Sequence, residues 1–431
     1  MTLESRLQDG TAVFGVVGLG YVGLPLAVEM AKAGHRVVGM DIIAEKVAEI
    51  NAGHSYICDV PASEVAELVT DGLLQATCDF ARASECDAIA ICVPTPLSEM
   101  KEPDTSYMES AARAIAPHLR EGVLVTLEST SYPGTTEEVV QPILETSGLK
   151  VGGGLSLAFS PERVDPGNPT FQTRNTPKIV GGVTPRCTEH AVAFYGRFID
   201  TIVPVSSTRA AEMTKLLENI FRCVNIALMN ELLMISDRMG INIWEVVDAA
   251  KTKPFGFMPF KPGPGLGGHC IPIDPFYLSW KAREFDMHTE FIELAGRTNE
   301  AMPRYVVQRL MDALNDQRKP LAGSRVLILG VAYKANIDDM RESPAIKIAE
   351  LLAEKDAHVV YHDPYVASFD LHGTAYSSVA LTQEEVSSAD AVLVVTDHSN
   401  VDYDLVVRSS QLILDTRDAL RAFADDKVVR L

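Results

Sequence analysis

Short apolar runs, each closed by a turn, pattern the first third of the chain. Ala12 to Val17 is one such run and reads as a strand buried on both faces of a parallel sheet. The turn Gly18-Leu19-Gly20-Tyr21-Val22-Gly23 follows it. Leu24 to Ala33 then carries apolar residues at helical spacing and stops at Gly34. Arg36 to Met40 is the next strand, and it ends in Asp41. Further strands are predicted at Ala88 to Val93, Val123 to Leu127 and Leu157 to Phe159, running out into PTP, ESTSYPGTT and SPERVDPGN. From Thr208 onward the chain holds no glycine or proline until Gly240, and its apolar spacing predicts one long helix. That helix is apolar over much of its circumference, which suits burial between domains or in a dimer interface.

The last third repeats the first. A strand at Val326 to Leu329 is followed by a glycine turn and a helix near Pro344 to Lys355. A strand at His358 to Tyr361 then ends in Asp363, with further strands at Ala391 to Val395 and Gln411 to Leu414. The fold class predicted is α/β: two Rossmann-like doubly wound domains joined by a long central helix. The expected boundaries are residues 1–206, 207–305 and 306–431.

Composition narrows the partners. A net charge of -20 argues against nucleic acid and anionic membrane, since both need basic patches. Seven cysteines without a C-x-x-C read as reduced thiols in a cytoplasmic protein. Thr11 to Val28 carries no charge, yet Glu4 and Asp9 precede it, and Gly15, Gly18, Gly20, Gly23 and Pro25 interrupt it. A strand and tight turn fit that stretch better than a signal peptide or membrane span. No metal site is predicted.

The amino-terminal glycines would let the backbone approach a pyrophosphate at a helix N-terminus. Asp41 would accept hydrogen bonds from a ribose hydroxyl and repel a 2′-phosphate, and no arginine occurs from Ile42 to Ile50, so NAD is favoured over NADP. Ligands of open α/β sheets bind beyond the carboxyl ends of the strands, which makes Thr95, Ser129, Thr130 and Glu162 cleft candidates. Lys215 and Asn219 share one helix face and could present an ammonium and an amide to one ligand oxygen. A solvated stripe with Glu212 and Glu218 is the alternative. The last third lacks the G-x-G-x-x-G; in its place stand Lys334, Arg341 and Arg417, cations suited to a phosphate-bearing ligand. GPGLGGHCIPIDP, from Gly263 to Pro275, has too much glycine and proline for a helix interior or central strand, yet holds Cys270 and Asp274. The layout implies a cofactor in one domain, a nucleotide-like substrate in the other, and chemistry near Cys270.

GLGYVG, STSYPGTT, SPERVDPGN, AEMTKLLENIFR, GPGLGGHCIPIDP and YKANIDDMRESP, in that order, make the chain resemble the nucleotide-sugar 6-dehydrogenases over essentially its whole length. The wording GHCIPIDPFYLSWKA looks most like the bacterial UDP-N-acetylglucosamine 6-dehydrogenase branch. The resemblance implies oxidation of a sugar CH2OH to carboxylate with two NAD. The expected product is UDP-N-acetyl-D-glucosaminuronate, in supply of a surface polysaccharide such as lipopolysaccharide. UDP-glucose, UDP-N-acetylgalactosamine and UDP-N-acetylmannosamine are the alternative substrates. The resemblance makes Cys270 the nucleophile, forming a thiohemiacetal and then a thioester. Lys215 and Asn219 would steady oxyanions, and Asp274, Glu162 and Thr130 would hold water and relay protons. It adds Tyr21, Val22, Lys46 and Arg341 to the cofactor contacts, and Arg163, Val164, Lys261, Gly267, Lys334 and Arg417 to those of the UDP-sugar. A homodimer or dimer of dimers is expected. His269 beside the nucleophile invites a Cys–His dyad, but adjacent residues rarely face one point and Lys215 already serves. A two-electron β-hydroxyacid dehydrogenase would have no use for Cys270, and a non-catalytic sensor none for Cys270, Lys215 and Asp274 together.

Overall fold

Eight strands lie side by side in the amino-terminal unit: β1 (Val13–Val17), β2 (Arg36–Met40), β3 (Leu74–Thr77), β4 (Ala88–Ile91), β5 (Val123–Leu127), β6 (Leu155–Phe159), β7 (Lys178–Gly182) and β8 (Ile202–Pro204). Their spatial order is β3-β2-β1-β4-β5-β6-β7-β8. The computed structural model describes residues 2–57, 59–98, 102–165, 168, 170–268 and 270–431. It divides into two compact units, Met1–Glu218 with Trp280–Met287, and Asn219–Ser279 with His288–Leu431.

Strands β1 to β6 pair in parallel, which explains their uninterrupted apolar runs: both sheet faces are covered. Side-chain direction alternates along each strand, so Phe14 and Val16 join one buried cluster while Val17 joins the other. Strand β7 reverses and pairs antiparallel with β6. The order switches between β1 and its neighbour β4, the point at whose carboxyl edge open α/β sheets bind ligands. Strand β6 begins two residues before the predicted start because Ser156 is buried, its hydroxyl 2.7 Å from His190 Nδ1.

The long helix Thr208–Met239 starts in the first unit and ends in the second. Gly240, at φ +67°, closes it.

The second unit holds β9 (Arg325–Leu329), β10 (His358–His362), β11 (Ser368–Leu371), β12 (Thr374–Ser377), β13 (Ala391–Val394), β14 (Ile413–Asp415) and β15 (Val428–Arg430). Five form a parallel sheet in the order β10-β9-β13-β14-β15, and β11 and β12 form a hairpin. Strand β14 lies one to two residues later than predicted. Gln411 is exposed, while Asp415 is buried and accepts backbone N–H groups from Arg417 and Leu420.

The internal repeat extends to hydrogen bonds. Gly18 N donates to Met40 O at 2.8 Å, and Gly330 N to His362 O at 2.9 Å. Asp41 Oδ2 accepts from Leu19 N at 2.8 Å, and Asp363 Oδ2 from Val331 N at 2.7 Å. Each acid at the end of a second strand thus ties down the turn after a first strand. Among the described residues, no helix is long and apolar enough to cross a membrane.

Candidate active site

In the first unit the glycine turn is shaped by its own atoms at two positions. A Cβ on Gly18, at φ +89°, would lie 2.7 Å from Cys92 O; one on Gly23 would lie 1.8 Å from Gly18 O. Gly20 differs: beyond its chain neighbours, no protein atom lies within 4 Å of where its Cβ would be. Packing does not demand a glycine there, whereas a pyrophosphate at the following helix N-terminus would. Asp41 is buried and takes one backbone N–H on each carboxylate oxygen, from Leu19 at 2.8 Å and Ile43 at 2.9 Å. Lone pairs remain on both oxygens for a ribose hydroxyl. These features fit a dinucleotide. Tyr56 donates its hydroxyl to Leu19 O at 2.5 Å, and Lys46 Nζ sits 5.6 Å from the Tyr56 ring centre. Tyr21 is half exposed, Val22 precedes the helix as its cap, and Thr95 is buried. Ser129 donates to Val93 O at 2.7 Å, joining the loops after β5 and β4; Thr130 beside it is half-buried.

Glu162 lies beyond the end of β6. Its Oε1 accepts from the N–H groups of Arg163 and Val164 at 2.7 and 2.8 Å, and Oε2 lies 3.4 Å from Lys178 Nζ. Its main-chain oxygen accepts from Lys215 Nζ at 2.6 Å. Burial would raise the Glu162 carboxyl, but the Lys178 ammonium, the two N–H groups and Lys215 outweigh it and hold the acid below its ordinary value. Arg163 commits its guanidinium to Glu218 at 2.6 Å and to Pro177 O at 2.6 Å, so only its backbone N–H faces Glu162.

In the second unit Cys270 is half-buried and opens the turn into the helix Asp274–Ala282. Its carbonyl accepts from Ile273 N at 3.1 Å and Asp274 N at 2.8 Å. Asn219 donates its side-chain amide to Asp274 Oδ2 at 2.5 Å, with both residues nearly closed to water. The glycines upstream have partners within the protein. Cβ atoms there would lie 2.7 Å from Arg417 Nη1 at Gly263, 2.5 Å from Tyr333 Cβ at Gly267, and 3.0 Å from the Tyr333 ring at Gly268. Close packing of the loop favours glycine at these positions. Gly268 N also donates to Arg341 O at 2.9 Å.

Arg417 donates from Nε to Val395 O at 2.8 Å, Lys334 is half-buried and Lys261 exposed. Arg341 is exposed and its guanidinium pairs with Asp339. His269 lies outside the described residues. Among the described residues, no cluster of histidine, cysteine and carboxylate could hold a metal. Sequence reasoning missed Lys178, Glu128 and Tyr195 behind Glu162. The available signal was a lysine opening an apolar strand shortly after a cleft loop.

Fold and glycine turn define the class: a doubly wound α/β protein of the dinucleotide-binding kind. Family models for the UDP-glucose/GDP-mannose dehydrogenases match three segments: the NAD binding domain over residues 12–199, the central domain over 209–301 and the UDP binding domain over 327–422. The chain belongs to the UDP-glucose/GDP-mannose dehydrogenase family, and its cofactor is NAD. It is 38% identical to an NDP-N-acetyl-D-galactosaminuronic acid dehydrogenase of Ralstonia nicotianae, covering 96% of this chain and 98% of that one. It is also 38% identical to a UDP-N-acetyl-D-glucosamine 6-dehydrogenase of Pseudomonas aeruginosa, covering 89% and 90%. The structure of a UDP-D-ManNAc dehydrogenase from Pyrococcus horikoshii matches with a TM-score of 0.88 at 34% identity, covering 97% of this chain and 98% of that one.

Proposed function

We propose that the chain oxidises the C6 hydroxymethyl of a UDP-N-acetylhexosamine to a carboxylate, with UDP-N-acetylglucosamine as the substrate. The observation that carries the reading is the Cys270 turn: a half-buried thiol whose carbonyl anchors Asp274, itself held by Asn219. The acetamido class is supported by relatives of equal identity named for two N-acetylated sugars. Glucosamine is favoured within that class by the wording GHCIPIDPFYLSWKA.

Gly18 to Gly23 and Asp41 would hold NAD, which would supply the hydride acceptor for both oxidations. Lys215 steadies the alkoxide as the alcohol gives its proton to the water held by Asp274 and becomes an aldehyde. The Cys270 thiolate adds to the aldehyde carbon, forming a thiohemiacetal that keeps the intermediate bound. Loss of the second hydride leaves a thioester. Water, oriented by Asp274 with Asn219, by Glu162 and by Thr130, attacks the thioester; the C–S bond breaks and the thiolate is regenerated. Lys261, Lys334 and Arg417 hold the UDP moiety by its charge. We take residues 1–206, 207–305 and 306–431 as the cofactor, central and UDP-sugar modules. The exposed Leu217, Phe221, Leu228, Ile235 and Met239 of the long helix support a homodimer, which sedimentation would test.

The test is NADH formed per mole of limiting sugar, with the UDP-linked N-acetyl-glucosamine, -mannosamine and -galactosamine and UDP-glucose compared. Two NADH per UDP-N-acetylglucosamine supports the reading. One would mean an alcohol-to-aldehyde enzyme without a role for the Cys270 thiol. Two with a different sugar alone would keep the chemistry and replace the substrate. Cys270→Ala is expected to stop at one NADH or fewer.

A further inference from the structure

A buried cation stands behind Glu162 that the reaction outlined above does not use. Strand β7 runs antiparallel to β6, so its first residue, Lys178, sits at the carboxyl edge of the sheet. Its side chain is 5% exposed. Nζ lies 2.6 Å from Glu128 Oε2, just past the end of β5, and 3.4 Å from Glu162 Oε2. The other Glu128 oxygen accepts from the Tyr195 hydroxyl at 2.5 Å. One ammonium therefore serves two carboxylates, Glu128 buried and Glu162 half-buried. The first is fixed to the sheet. The second belongs to the loop whose main-chain carbonyl takes Lys215 Nζ.

Stability alone does not call for this arrangement. Taking three charges out of water is expensive, and apolar replacements of buried ion pairs are often neutral or stabilising. What the arrangement supplies is direction. With two N–H groups on one oxygen and Lys178 beside the other, the Glu162 carboxylate cannot rotate without losing a partner. A fixed carboxylate fixes the peptide that carries it, and so the acceptor of Lys215.

We propose that Lys178 is a positioning residue: it locks the Glu162 carboxylate and thereby the carbonyl that aims Lys215. This rests on the functional reading given above. Burial opposes charge on Lys178, but Glu128 and Glu162 together hold it protonated. The charged groups facing Glu162 are Lys178 and Lys215, with Glu128 behind.

Removing Lys178 alone would leave Glu128 buried and unpaired, so the test uses a background without that charge. Lys178→Met/Glu128→Gln is compared with Glu128→Gln. The expected kcat is about 30-fold lower, with KM for NAD within about twofold, because misaiming one group by about 1 Å costs up to about 100-fold. The acid limb of the kcat–pH profile is expected to move up by about one pH unit, as Glu162 loses its closest cation. Lys178→Arg, which keeps the charge, should restore the limb. Lys178→Gln/Glu128→Gln carries the same expectation and decides the matter if the methionine variant does not fold. Either double variant matching Glu128→Gln in kcat and pH profile would overturn the proposal, as would a loss confined to thermal midpoint. Failure of the functional reading shows separately, as wild-type enzyme that does not yield two NADH per sugar.

Discussion

The side-chain amide of Asn219 donates to the carboxylate of Asp274 at 2.5 Å, and each residue is 3% exposed. Asp274 N in turn donates to the carbonyl of Cys270, so Asn219 holds the first turn after the thiol. Asn219→Leu keeps the volume and removes the donor. A charge-assisted bond to a buried carboxylate is worth about 1.5–3 kcal/mol, so the thermal midpoint should fall by a few degrees. kcat should drop about 100-fold with KM for NAD little changed, because geometry rather than cofactor binding is lost. Calorimetry and steady-state kinetics check this; full activity would show that the Cys270 turn does not depend on Asn219.

Gly20 and Gly23 separate ligand space from packing space. A methyl at Gly23 would collide with Gly18 O, whereas one at Gly20 meets no protein atom within 4 Å beyond its chain neighbours. Gly20→Ala is expected to leave the thermal midpoint of the NAD-free protein within about 1 °C while raising Kd for NAD at least about tenfold. Gly23→Ala should lower the midpoint and also raise the Kd. Calorimetric titration with NAD decides: unchanged affinity in Gly20→Ala would mean that the pyrophosphate does not approach this residue.

Gly263 lies beneath the Arg417 guanidinium, and a Cβ there would come within 2.7 Å of Nη1. Arg417 cannot swing away without giving up its bond to Val395 O. Gly263→Ala should therefore mimic Arg417→Ala. Each is expected to weaken UDP binding about tenfold, the worth of one charge-assisted contact, without changing affinity for NAD. UDP titration of both variants tests the pairing, and tight UDP binding by Arg417→Ala would remove that residue from the site.

Asp363 accepts from Val331 N, Ala332 N and His398 Nε2 on one oxygen, and from Tyr365 N and Val366 N on the other. Burial would raise its carboxyl, but the His398 bond and the N–H groups hold it at about 2. A depressed acid stabilises the fold above its unfolded value and loses that contribution as pH falls through the folded one. Asp363→Asn should thus be less stable by about 2 kcal/mol above pH 5, with the gap narrowing between pH 4 and pH 2. Urea unfolding across that range tests the sign; a gap that stays constant down to pH 2 would show that Asp363 is not the group responsible.

The sequence by itself determined the repeated order of strand, glycine turn, helix, strand and acid, and the helix from Thr208. Each is a local pattern, readable because strand burial, helical periodicity and glycine stops act over a few residues. It also carried the chemistry-bearing types, Cys270 and Asp274 in one loop and Lys215 and Asn219 on one helix. What only the tertiary structure decided are the partners. The reversal of β7 brings Lys178 to Glu162 and Glu128, although nothing in TPKIVGG marks a strand that runs backwards. Tyr333 and Arg417, far along the chain, explain the glycines before Cys270. His398 reaches Asp363, which the repeat had matched to Asp41. Such contacts are selected by burial and by the need of each buried charge for a counter-charge or donor. Those conditions act between segments distant in sequence, so they leave no periodic trace in it.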